Sequence, residues 1–147
     1  MHKGPGFCYR GVMTGEKGER ALVQEWREIL AVHARTACEI DRELHPYGLG
    51  ASDFEVLDVL AGGDEGCSFR VQELADHVHL SQSALSRLVA RLEKEGLVER
   101  CICSEDRRGV RVAITEAGRE RYERARPSHL AVLERMLTKA PQEIGSR

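Results

Sequence analysis

Three observations predict a mainly helical fold that carries one small β-hairpin. Apolar residues recur at three- and four-residue spacing in five separate stretches. Two short alternating stretches, 97–103 and 110–114, flank a charged tip that ends in Gly109. Finally, two of the helical stretches are joined by only a few residues, and the second of them, 81–95, has the sequence SQSALSRLVARLEKE.

That second helix has two unlike ends. Ser81 stands where an N-cap belongs, just after Leu80, so its hydroxyl can accept from a free amide of the first turn. Leu85, Leu88, Val89 and Leu92 form one apolar stripe. The other face begins with Gln82, Ser83, Ser86 and Arg87, and carboxylates appear only later, at Glu93 and Glu95. Gly96 stops the helix. A polar, acid-free N-terminal half can enter a DNA major groove and reach base edges, where carboxylates would meet phosphate repulsion.

The remaining elements follow in order. Residues 1–18 are rich in glycine and lack a helical period, so they read as a flexible arm. Cys8 beside Tyr9 is its only reactive group, and it reads as a cysteine in a loose tail. Residues 19–45 form a long amphipathic helix with Leu22, Trp26, Ile29, Leu30, His33, Ala37, Ile40 and Leu44 on one side, ended by Pro46. Its length, about 40 Å at the helical rise, exceeds what a small domain needs to cover its own core, which points to burial against a second subunit. Ser52-Asp53-Phe54-Glu55 reads as the start of a second helix, with Phe54, Leu57, Val59 and Leu60 inward and Gly62-Gly63 at its end. Cys67–Arg70 is short enough for an edge strand or a loop. A third helix runs from Val71 to Val78, with Val71, Leu74, Ala75 and Val78 buried. His79-Leu80 connects it to Ser81, His79 standing where most such turns carry glycine.

Beyond Gly96, the two strands and the tip Ser104–Gly109 form a hairpin directly after the polar-faced helix, which makes it a wing. Its adjacent Arg107 and Arg108 suit phosphates or a narrow minor groove. Thr115-Glu116-Ala117-Gly118 caps a fifth helix through about Ala125. Pro127 is expected to interrupt it and Ser128 to recap a continuation ending at Pro141.

The totals set bounds. A chain of 147 residues makes one domain with a real core. No stretch is apolar and long enough to span a bilayer, and the N-terminus lacks the apolar segment of a signal peptide, so a cytoplasmic protein with no membrane partner is expected. Five cysteines form no disulfide framework. The net charge of -2 is not that of a nucleic-acid binder, but residues 81–111 hold seven basic side chains against five acidic ones, so the basic excess is local. There is no Gly-rich phosphate loop, HExxH, GxSxG or Walker pattern, so no enzyme is expected.

In LSQSALSRLVARLEKEGLVER and SEDRRGVRVAITEAGRE the chain resembles the MarR family of bacterial transcription regulators, over about Leu22 to Leu137. The resemblance implies a winged helix-turn-helix dimer on a palindromic operator in double-stranded DNA, with first and last helices interleaved between subunits. It implies a helical dimerisation region at 19–46 and 116–140 and a DNA-binding lobe at 47–115. By motif position Ser81, Gln82, Ser83, Ser86 and Arg87 are groove residues, Arg108 is the wing arginine, and Asp106 holds the arginine side chains. The family commonly continues through a further helix, so here 19–45 and 116–139 are expected to carry the dimer.

The resemblance further implies repression relieved by a small aromatic or phenolic ligand. Trp26 and His33, two turns apart, would offer it a ring face and a donor. No cofactor or metal is expected. His33, Cys38, Glu39, Glu43 and His45 lack the family's zinc-sensing partners in the fifth helix beyond His129, and Cys101 and Cys103 point to opposite strand faces. Neither Cys8 nor Cys38 falls where the family's peroxide sensors place their thiol. The competing readings are a winged-helix protein-interaction module without DNA binding, and a metal- or redox-sensing regulator of the same fold.

Overall fold

The computed structural model describes residues 15–63, 69–102 and 110–138. Most of the expected N-terminal arm, with Cys8, lies outside them. The chain divides between Arg35 and Thr36 into two units.

The first unit is the N-terminal part of α1 (Glu16–Leu44). The helix starts three residues before position 19, with Glu16 and Glu19 in its first turn, where carboxylates complement the free amides. Leu22, Val23, Trp26, Ile29 and Leu30 are all between 46% and 62% exposed. That is an apolar series exposed among the described residues, Trp26 included.

In the second unit the end of α1 turns inward, with Ile40 and Leu44 buried. A single 3₁₀ turn, His45–Tyr47, follows, with Pro46 at its start and Gly48 at φ 70° closing it. Then come α2 (Ala51–Ala61), β1 (Phe69–Arg70), α3 (Val71–Val78), α4 (Gln82–Lys94), β2 (Val98–Ile102), β3 (Val110–Ile114) and α5 (Glu116–Leu137). The strands form one antiparallel sheet in the order β1-β3-β2, so the hairpin gains a third strand through Phe69↔Val112 and Arg70↔Arg111. The hairpin register runs from Val98↔Ile114 to Ile102↔Val110.

Helix starts follow capping chemistry, with one shift from expectation. The cap of α2 is Gly50, not Ser52, and the Asp53 carboxylate accepts the Gly50 N–H at 2.8 Å. Glu73 does the same for the Arg70 N–H at 3.1 Å ahead of α3. Ser81 Oγ accepts from the Ala84 N–H at 3.2 Å, as expected. His79 adopts φ 54° in the turn between α3 and α4, the left-handed conformation that a glycine would take there without strain.

The continuous α5 corrects the expected break at Pro127. Ala125, His129 and Val132 lie in one buried row that spans the proline. Burial of that row holds both halves in register. Pro127 and Glu123 are both exposed, so the proline lies on the solvent side of α5, where its cost is smallest. Polar contacts tie α5 to α2: Tyr122 donates its hydroxyl to Asp58 at 2.5 Å and Arg119 reaches the Ala61 carbonyl at 3.2 Å. Burial, then the bond to Asp58, pushes the Tyr122 hydroxyl up to about 12, so it remains a donor.

His129 stacks on Phe54, ring centroids 4.0 Å apart, with its Nε2 buried and without a hydrogen-bond partner among the described residues. Burial depresses its basicity below the ordinary value of 6.5, outweighing the attraction of Asp58. Glu55 lies 3.8 Å from Nε2 but is half exposed, and its field does not offset that burial. The folded state therefore binds fewer protons than the unfolded chain once pH falls below about 6.5, and stability present above that pH is lost on acidification toward the depressed value. Urea titrations at pH 7.5 and 5.5 should show lower stability at the acid end, and His129→Leu should reduce that difference. An undiminished difference in the variant would assign the acid sensitivity to other groups.

Candidate nucleic-acid interface

The candidate surface starts from what α4 buries. Leu85, Val89 and Leu92 are fully buried at i, i+4 and i+7, each contributing about 1.5–3 kcal/mol of apolar burial. That anchors the rotation of the helix. Ser81, Gln82, Ser83, Ser86 and Arg87 are consequently all exposed, and the first turn contains no acid. Ser81 is partly occupied, because its hydroxyl serves as the cap and also lies 3.4 Å from Ser83 Oγ.

The arginines nearby have different fates. Arg91 holds Asp53 through both guanidinium nitrogens, Nη1 to Oδ2 at 3.3 Å and Nη2 to Oδ1. That bond, against partial desolvation, raises the Arg91 guanidinium above its already high value. Asp53 is only 4% exposed, so its carboxylate is a buried clamp that both caps α2 and grips α4. Arg100 pairs with Glu93 at 3.0 Å. Arg87 has no ion pair or hydrogen bond among the described residues and keeps all its donors for a partner.

Sequence reasoning missed the Asp53–Arg91 clamp. Asp53 was legible as a first-turn acid, but its partner lies 38 residues on and only the packing of α2 against α4 brings them together.

The described part of the wing ends at the exposed pair Ile102 and Val110, 84% and 44% accessible. Asp106, Arg107 and Arg108 fall outside the described residues. Trp26 and His33 are exposed residues of α1 in the first unit, and the α4 group belongs to the second. Among the described residues, no three His, Cys, Asp or Glu side chains are grouped to hold a metal, and no helix is long and apolar enough to cross a membrane.

Comparison with known proteins agrees with this geometry. A family model described as MarR family matches residues 47–109. The structure is similar to that of AbsC, a MarR family transcriptional regulator from Streptomyces coelicolor, with 31% identity and a TM-score of 0.73 over 91% of this chain and 88% of that one. It is also similar to Sco3205, a MarR family regulator of the same organism solved in complex with DNA, with 29% identity and a TM-score of 0.74 over 92% of this chain and 81% of that one. The transcriptional repressor IacR of Pseudomonas putida is 30% identical over 93 residues, 63% of this chain. The match spans about half of IacR, 54% of its length. With its helix pair, its three-stranded sheet and these relatives, the chain belongs to the MarR family of transcriptional regulators.

Proposed function

We propose that this regulator binds a palindromic operator as a homodimer and represses transcription in the cytoplasm until a small aromatic or phenolic ligand releases it. The observation that carries the reading is the exposed, acid-free edge of α4, with Arg87 uncommitted beside Gln82, Ser83 and Ser86. Sco3205 was solved with DNA and IacR is named a repressor, which supports both halves of the reading. Ser81, Gln82, Ser83, Ser86 and Arg87 contact the major groove, while Arg107 and Arg108, held by Asp106, contact phosphates or the minor groove. Residues 47–115 act as the DNA lobe, and 19–46 with 116–140 as the dimerisation region. Trp26 and His33 supply a ring face and a donor for the ligand.

Exposed apolar surface supports the dimer. Five exposed apolar side chains on the first part of α1, and Leu130 and Leu137 on α5, need a partner to leave water. Two half-sites bound together gain roughly 10²–10⁴ in affinity over one. Trp26→Glu with Ile29→Glu should therefore sediment as a monomer and lose at least about 100-fold in operator affinity by fluorescence anisotropy. A variant that remains dimeric would remove α1 from the interface, and a monomeric variant with unchanged affinity would remove the two-half-site reading.

A further inference from the structure

A cleft of about 300 Å³ in the second unit is lined by Pro46, Tyr47, Gly48, Arg121 and Arg124. It belongs neither to the edge of α4 nor to the Trp26 and His33 pair. Its size is at the small end for ligand sites and equals roughly ten water molecules. The lining holds two guanidinium groups, one turn apart on α5, and no carboxylate. Arg121 has a single ion-pair contact among the described residues, a loose one to Glu95 at 3.9 Å. Arg124 is exposed and has none among them. The opposite wall is fixed: Tyr47 is bonded to Ser128 at 3.1 Å, and Gly48 sits at φ 70° with the Arg121 guanidinium 3.5 Å from where a Cβ would stand. Two like charges facing one cleft, balanced only by the loose contact of Arg121 to Glu95, suit an oxyanion, and arginine forks match phosphate oxygens.

We propose that this cleft binds a small phosphate-bearing metabolite and that Glu95 relays its presence to the recognition helix. Glu95 lies 3.9 Å from Arg121 and 3.8 Å from Arg91, the residue that clamps Asp53. An anion that draws Arg121 into the cleft releases Glu95 to compete with Asp53 for Arg91, loosening α4 on α2. This relay step rests on the operator-binding reading; the binding site itself does not. Because exposed ion pairs are weak, the effect on operator affinity is bounded at about two- to fivefold.

The test uses the full chain with inorganic phosphate as probe, against sodium chloride at equal ionic strength and pH. At tenfold excess over the measured Kd, phosphate should raise the melting temperature by about 3–5 °C in the absence of DNA. Phosphate also strengthens apolar burial in general, so the Arg121→Gln/Arg124→Gln variant is the control and should lose that rise. Equal melting in both salts, or an equal rise in the double variant, overturns the site. With operator present, phosphate should weaken binding two- to fivefold in the native chain and not in Glu95→Gln, which should keep the melting shift. A weakening that persists in Glu95→Gln overturns the relay. If DNA suppresses the melting shift in Glu95→Gln as strongly as in the native chain, the cleft serves backbone phosphate of the operator, and the metabolite assignment falls. The melting measurement needs no DNA, so it decides the anion site even if the chain binds no operator.

Discussion

Gly118→Ala is expected to cost at least about 3 kcal/mol of stability and to lower the melting temperature by about 6–12 °C. An added Cβ would stand 2.0 Å from the Leu97 carbonyl oxygen, 2.9 Å from its carbon and 3.0 Å from Ile114 Cγ1. The first two are backbone atoms, and they are held. The Leu97 oxygen accepts the Thr115 N–H at 3.1 Å, and the Leu97 N–H reaches the Leu92 carbonyl at 2.9 Å. Thr115 locks the same corner from the other side, donating to the Gly96 carbonyl at 2.6 Å while accepting from the Gly118 N–H at 3.0 Å. The end of α4, the start of β2 and the start of α5 therefore meet where only a hydrogen fits. Gly96 is the internal comparison. It has φ 77°, but an added Cβ there would meet nothing within 4 Å, so Gly96→Ala should cost only the backbone strain of about 1 kcal/mol. Urea denaturation of both variants separates the effects, and a Gly118→Ala loss no larger than that of Gly96→Ala would show that the corner yields.

That corner also shows what was legible in the sequence. Thr115 and Gly118 were readable as a helix start, since a hydroxyl three residues before a free amide is a local pattern. Why position 118 must be glycine was not readable, because the obstacle is a carbonyl 21 residues away in sequence. The same division runs through the fold. The helices α1 to α4 and the hairpin follow from spacing, which reports on one face of one element. Strand β1 is only two residues long and exists through its pairing with β3, so its sequence left strand and loop open. Pro127 misled in the other direction: a local rule predicts a break, and the buried row of Ala125, His129 and Val132 overrides it. On the candidate site, the outward face of α4 was legible because Leu85, Val89 and Leu92 leave it no alternative. The use of Arg91 was not, since a buried carboxylate from α2 captures it.

That capture sharpens what Arg87→Ala should do. Arg87 and Arg91 lie one turn apart on the same helix, and their charges are equal on paper. Arg91 is committed to Asp53 and also lies 3.8 Å from Glu95, so its loss would leave a nearly buried carboxylate without its counter-charge and destabilise the fold. Arg87 has no ion pair or hydrogen bond among the described residues, so Arg87→Ala should leave the melting temperature within about 2 °C, the range of a neutral surface change. A bidentate contact to guanine is worth about 1–3 kcal/mol, so operator affinity should fall roughly 5- to 150-fold and discrimination at one base pair of each half-site should relax. Arg87→Lys keeps the charge but not the fork, so it should recover affinity for non-specific DNA while leaving the base preference relaxed. A contact to phosphate gives a different result: affinity falls alike for every sequence, and the salt dependence flattens by about one ion per arginine lost. Anisotropy titrations of operator and scrambled duplex at two salt concentrations tell these apart. Unchanged affinity and unchanged preference in Arg87→Ala would mean that the free guanidinium on α4 is solvated surface, and the exposed edge would no longer identify the face that meets DNA.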